Sequence, residues 1–215
     1  MTDVNEKNAN NQTVFIVDDD SAIRHAMGLL LESVGHQCEV YGSADEFLAA
    51  VDTASPGCLV LDIRMPRMSG LELQEKLAAG KSAMPIIFIT GHGDVPMAVE
   101  AMQKGAIDFI QKPFRDQELL DRISDAMQTD SERRSSRRSV NDIVDKISRL
   151  TKREQEVFDL VATGKPNKIV AYELGVSQRT VEIHRARVME KIEAASLADL
   201  VRIHLTISGL DSNAT

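Results

Sequence analysis

Five short apolar runs, "TVFIV", "QCEVY", "GCLVL", "PIIFI" and "AIDFI", recur through the first half of the chain, with an amphipathic stretch between each and the next. No other feature of the sequence constrains the fold as much. Runs of that length suit strands, and the stretches between them begin like helices: Ser21 before "AIRHAMGLLLESV", Ser43 before "ADEFLAAV", Ser69 before "GLELQEKLAA" and Asp94 before "VPMAVEAMQK". A fifth helical stretch, "DQELLDRISDAMQ", follows the last run. Strands joined by helical crossovers lie parallel, so the pattern predicts an α/β domain with a five-stranded parallel sheet covered on both faces. In such sheets ligands gather at the carboxyl ends of the strands. Asp18, Asp19, Asp20, Asp62, Thr90 and Lys112 all fall there.

The alternation stops near residue 128, well short of residue 215. Composition changes at "TDSERRSSRRS", residues 129–139, which has no apolar residue and reads as a hinge. "VNDIVDKISRL" then places Val140, Ile143, Val144 and Ile147 on one helical face, as in a short amphipathic helix. From Thr151 on the pattern is purely helical. Thr151 and Glu154 form a capping box, Gly164 ends that helix, Pro166 suits the first turn of the next, Gly175 makes a turn, and Ser177 and Ser196 cap two more. The boundaries expected are a disordered tail over 1–12, an α/β domain over 13–128, a linker over 129–149 and an all-α domain over 150–210.

Charge is distributed unevenly between these halves. Residues 1–127 carry 10 Lys/Arg and 20 Asp/Glu, net −10, whereas 128–215 carry 15 and 13, net +2. Within 133–202 the tally is 15 against 10, net +5, which points to a nucleic-acid partner for the second half. The start "MTDVNEKNANNQT" lacks the basic and apolar regions of a signal peptide, and no run of eighteen apolar residues occurs, so a cytoplasmic protein without a membrane partner is expected. Cys38 and Cys58 sit in strand-like segments without metal-site spacing and read as buried reduced thiols.

Three aspartates in "FIVDDDS" and a fourth in "CLVLDIRMP" bring like charges to one sheet edge, where they repel unless a cation neutralises them. With oxygen donors alone, the ion expected is Mg²⁺. Thr90 adds a hydroxyl and Lys112 a positive charge, which together suit phosphoryl transfer to a carboxylate. Asp20, at a helix start, reads as a partner of the helix dipole and not as a ligand. His92, Met65 and Met68 read as ordinary loop residues. A Mg²⁺-dependent phosphatase of the haloacid dehalogenase type, with Asp18 as nucleophile, is the rival reading; it expects threonine where Ala22 stands and leaves Asp62 unexplained.

The motifs "VDDDS", "VLDIRMPRMSG", "ITGHGD" and "DFIQKPF" resemble the receiver domain of two-component response regulators, a flavodoxin/CheY-like fold. "LTKREQEVFDLVATGKPNKIVAYELGVSQRTVEIHRARVMEKI" is similar to the LuxR-type helix-turn-helix domain, and the pair resembles the NarL/FixJ class on its FixJ side. The resemblance implies that Asp62 accepts a phosphoryl group from a sensor histidine kinase, and that Asp18 and Asp19 form an acidic pocket. It further implies that Asp19 and Asp62 hold Mg²⁺ with the Arg64 carbonyl, and that Thr90 and Lys112 touch the phosphoryl oxygens. Phe109 stands at the aromatic switch position, and the Lys112–Pro113 bond is expected to be cis. The implied output is a homodimer on promoter DNA, through a face that includes Met97, Val99, Ala101 and Ile107, with RNA polymerase as a further partner the resemblance admits. The protein is expected to regulate transcription and not to be an enzyme.

In the segment "QRTVEIHRARVMEKI", Val181, Val188 and Ile192 fall on one stripe and should pack inward. Glu182, Ile183 and Ala186 are the candidates for base edges, and Arg179, Arg185, Arg187 and Lys191 for phosphates, with Lys168 reaching from the preceding helix. Thr180 and His184 match positions of the family motif.

Overall fold

A computed structural model describes residues 12–91 and 95–212. The expected tail up to residue 11, His92 and the cap Asp94 lie outside the described residues. The chain divides into two compact units, Met1–Arg134 and Ser135–Thr215.

In the first unit the strands are β1 (Thr13–Val17), β2 (Gln37–Tyr41), β3 (Gly57–Asp62), β4 (Ile86–Thr90) and β5 (Asp108–Gln111). They alternate with helices α1 (Ser21–Ser33), α2 (Ala44–Ala50), α3 (Gly70–Ala79), α4 (Val95–Gln103) and α5 (Asp116–Ser148). All pairings are parallel, in the order β2-β1-β3-β4-β5, so the strand order reverses between β1 and β3 and opens a crevice at their carboxyl ends. Strand side chains alternate between two buried layers. Phe15, Val17, Leu59, Leu61 and Phe88 pack with Phe47 and Leu73, while Val14, Ile16, Val60, Ile87 and Ile89 pack with Leu31, Leu119 and Ile123. Cys58 is buried and Cys38 only half-buried, both as free thiols.

Capping explains most helix starts. Ser43 and Ser69 cap α2 and α3 as expected, the second within a full capping box. For α1 the cap is Asp20 and not Ser21: its carboxylate accepts from the amides of Ala22 and Ile23. A carboxylate there satisfies orphan amides and faces the positive end of the helix dipole.

The second unit contains the tail of α5, then α6 (Lys152–Ala162), α7 (Asn167–Leu174), α8 (Gln178–Ile192) and α9 (Leu197–Ser212). Its core joins Val157, Phe158, Val161, Val170, Val181, Val188, Ile192 and Leu200. Thr151 and Ser177 cap α6 and α8, and Gly175 ends α7 in the left-handed region at φ 65°. Pro166 stands at the cap of α7, one place before the helix begins.

The expected hinge over 129–139, followed by a separate short helix, is not what forms. α5 runs unbroken for 33 residues. Its sequence contains neither glycine nor proline, and polar residues suffice where a helix carries its own side-chain pairs. Asp130 is buried, accepts from the Gly57 amide at 2.9 Å and pairs with Arg134, while Gln128 reaches Glu132 and Lys146 reaches Asp142. Arg134 also donates to the carbonyls of Ala54 and Ser55. Among the described residues, no helix is long and apolar enough to cross a membrane.

Candidate functional site

The carboxyl ends of β1, β3, β4 and β5 converge on one cluster. Asp18 follows β1 and Asp62 closes β3, and both are buried, at 1% and 7% exposure. Lys112, one residue past β5, places Nζ 2.8 Å from Asp18 Oδ2 and 2.6 Å from Asp62 Oδ1. The remaining carboxylate oxygens are held by backbone amides: Asp20 N donates to Asp18 Oδ1 at 2.8 Å, and Arg64 N donates to Asp62 Oδ2 at 2.7 Å. Asp19 is exposed beside them. The Lys112 amide donates to the Thr90 carbonyl at 2.7 Å, so the ends of β4 and β5 share one register. Thr90 is buried, and the Lys112–Pro113 bond is cis. Phe109 is half-buried, pairs across the sheet with Phe88 and packs against the layer that holds Phe15 and Phe47.

Burial pushes the Asp62 carboxyl up and the neighbouring Asp18 adds to that, against the stabilising pull of Lys112 and the Arg64 amide. Burial alone would lower the Lys112 ammonium, but its bonds to Asp18 and Asp62 outweigh it and raise the group. The acceptor candidate is thus a carboxylate whose charge burial disfavours and one lysine sustains.

Among the described residues, no three His, Cys, Asp or Glu side chains stand together as a cage for a metal ion. Mg²⁺ takes one or two carboxylates and otherwise keeps water. The donors at this edge are all hard oxygens, with Asp19 exposed next to two buried carboxylates, and their chemistry fits the ion.

Two supports of this edge carry no obvious sequence signal as site residues. Arg24, in the first turns of α1, donates to the Asp18 carbonyl at 2.6 Å and clamps the acidic loop. A cation placed one turn beyond three aspartates was the available clue. Gly70 packs so closely that a Cβ there would lie 2.3 Å from the Asp62 carbonyl oxygen, so the start of α3 presses on the end of β3.

The second candidate site is α8. Val181, Val188 and Ile192 are buried, and Arg179, Glu182, Ile183, Ala186 and Arg187 are exposed, as is Lys168 on α7. Three expected contact residues have work inside the domain. Lys191 Nζ lies 2.6 Å from Oε2 of the buried Glu154 and 3.2 Å from the Arg149 carbonyl, so it braces α6. Arg185 donates to Asn167 Oδ1 at 3.2 Å, linking α8 to α7. Thr180 shares a hydroxyl contact of 2.8 Å with the cap Ser177. His184 is half-buried, with Nδ1 enclosed and without a hydrogen-bond partner among the described residues. The Lys191 ammonium, ahead of the Thr151 amide, holds the Glu154 carboxyl down at about 2.

A receiver-type sheet edge followed by a turn-linked helix pair defines a two-part regulator. Residues 14–124 match the family described as response regulator receiver domain, and residues 148–204 match bacterial regulatory proteins of the luxR family. The chain is 48% identical over 202 residues to nodulation protein W of Bradyrhizobium diazoefficiens, covering 94% of this chain and 88% of that one. It is 46% identical over 193 residues to transcriptional regulatory protein FixJ of Rhizobium meliloti, covering 90% and 95%. The structure of response regulator StyR superposes with a TM-score of 0.84 at 47% identity, over 90% of this chain and 98% of that chain. The protein belongs to the response regulators that join a receiver domain to a LuxR-type DNA-binding domain.

Proposed function

We propose that this protein is a transcriptional regulator switched by phosphorylation of Asp62. The observation that carries the reading is the Lys112 ammonium shared between Asp62 and Asp18 at the carboxyl edge of the sheet. An Asp62 carboxylate oxygen attacks the phosphorus of a phosphohistidine on a sensor kinase; the O–P bond forms as the N–P bond breaks, and the imidazole leaves with the electron pair. Lys112 holds Asp62 ionised before the transfer and can shift onto a phosphoryl oxygen after it. Asp19 and Asp62, with the Arg64 carbonyl, are the residues that would hold Mg²⁺, and Asp18 completes the acidic pocket. The ion supplies charge neutralisation when bound.

A phosphoryl group adds close to two negative charges at a site that already strains to hold one. The Thr90 hydroxyl is drawn toward it, and the Phe109 ring follows into the space released. The face carrying α4 and β5 then becomes a dimer surface. Val99 and Met102 are exposed there at 47% and 37%, whereas Ala101 is fully buried and the Gln74 amide donates to its carbonyl. Ala101 therefore drops out of that surface. Two DNA-binding domains brought together bind paired half-sites more tightly than one. On DNA, Glu182, Ile183 and Ala186 read base edges, and Arg179, Arg187 and Lys168 meet phosphates. The protein acts in the cytoplasm on double-stranded promoter DNA, and RNA polymerase is the partner through which it sets transcription.

Light scattering with Mg²⁺, before and after acetyl phosphate, tests the switch in the wild type and Asp62→Asn. A monomer that becomes a dimer only in the wild type is expected, with tighter binding to duplex DNA in step. The same change in both proteins contradicts the reading.

A further inference from the structure

The DNA-binding unit carries little excess positive charge of its own. Residues 149–202 contain 10 Lys/Arg against 8 Asp/Glu, net +2. Four of those ten cations, Arg153, Lys165, Lys191 and Arg202, are held in ion pairs. Affinity for duplex DNA depends on cations free to displace counterions from phosphates, so the balance left on this unit is thin.

The arginines of "RRSSRRS" supply the difference, and the structure divides them into two pairs. Arg134 is spent on Asp130 and on two carbonyls of the β3 approach, and Arg133 donates to the Ala83 carbonyl at 3.3 Å. Arg137 and Arg138 are exposed, and their side chains form no hydrogen bond or ion pair with any described residue. Each stands four residues after another arginine on a continuous helix, a spacing at which like charges repel. Such a run is relieved by an external polyanion. The tail of α5 is fixed to the DNA-binding unit: Ile147 packs on its core, and Lys146 Nζ pairs with Glu193 Oε2 at 2.9 Å. At 1.5 Å per residue the two arginines lie roughly 14 Å along the helix from Ile147, less than the length of one turn of duplex DNA.

We propose that Arg137 and Arg138 contact backbone phosphates flanking the half-site, making the tail of α5 a second, sequence-independent DNA interface beside α8. This rests on the reading of α8 as a DNA-binding helix. The interface contributes affinity and salt dependence and leaves base preference to α8.

The test compares full-length wild type, Arg137→Gln/Arg138→Gln and Arg137→Lys/Arg138→Lys on a mixed-sequence duplex across a salt series. Glutamine and arginine have similar helix propensity, so α5 should persist, which circular dichroism verifies. Each lost phosphate contact removes about 0.9 from the slope of log K against log salt, so the glutamine variant should lose about 2 and the lysine variant almost nothing. A wild-type slope in the glutamine variant overturns the interface while leaving the function of α8 standing. A glutamine variant altered only in its molar mass in solution also overturns it, and assigns the arginines to an acidic surface of a second copy. Failure of the wild type to bind any duplex removes the proposed function and this inference with it.

Discussion

Lys112 Nζ lies 2.6 Å from Asp62 Oδ1, although Asp62 closes β3 and Lys112 follows β5, with β4 between them. The same ammonium reaches Asp18, so one cation serves two buried carboxylates. Lys112→Gln leaves both without a counter-charge. Hydrogen bonds to charged groups are worth about 1.5–3 kcal/mol, and a loss of about 2 kcal/mol is expected in urea unfolding of the receiver unit. Phosphorylation of Asp62 should slow at the same time, because its carboxyl moves further up.

Asp62 and Glu154 should contribute to the pH dependence of stability in opposite senses. Asp62 is raised in the folded state, so the folded form binds its proton more tightly than the unfolded form. Its effect is to lower stability as pH rises from about 3.8 through that raised value, and Asp62→Asn should remove the decline. Glu154 is lowered to about 2 from 4.5, so its contribution is present above 4.5 and is lost as pH falls toward 2. Hydrogen exchange followed separately in the two units across this range shows both trends. An Asp62→Asn protein whose receiver unit keeps the wild-type pH dependence through that window contradicts the first.

Lys191 and Arg187 share α8 but should separate cleanly in measurement. Lys191→Met strands the buried Glu154 and should cost about 2 kcal/mol of stability in the DNA-binding unit. Arg187→Gln should leave stability nearly unchanged and lower the salt slope of DNA binding by about 1. Equal stability losses in the two variants contradict this division.

That contrast also marks how far the sequence was legible. The five parallel strands and the capped helices followed from apolar runs and from Ser, Thr and Gly at fixed places, because both are local signals. Asp62, Thr90 and Lys112 could be placed at one edge because parallel crossovers return every strand in the same direction. The pairing of Lys191 with Glu154 spans 37 residues and leaves no local trace. Ala101 sits in an amphipathic helix whose buried stripe could not be phased without its neighbours. The supposed hinge failed for a different reason: a stretch without apolar residues lacks the signal by which buried helices are recognised, yet Asp130, Arg134 and their partners hold it helical.

Val99 offers a test of the dimer surface that spares the acceptor. It is exposed at 47%, so Val99→Asp should leave the fold and the phosphorylation of Asp62 intact while preventing the increase in molar mass that phosphodonor causes. Ala101→Asp should instead unfold the receiver, since a charge would enter a fully buried position. A Val99→Asp protein that still dimerises on phosphorylation places the surface elsewhere.

Intact-protein mass spectrometry shows whether Asp62 is the acceptor. Wild type and Asp62→Asn are each incubated with acetyl phosphate, with Mg²⁺ and with Mg²⁺ chelated. The wild type alone should gain the mass of one phosphoryl group, only with Mg²⁺, and lose it on treatment with hydroxylamine. The same gain in Asp62→Asn contradicts that assignment.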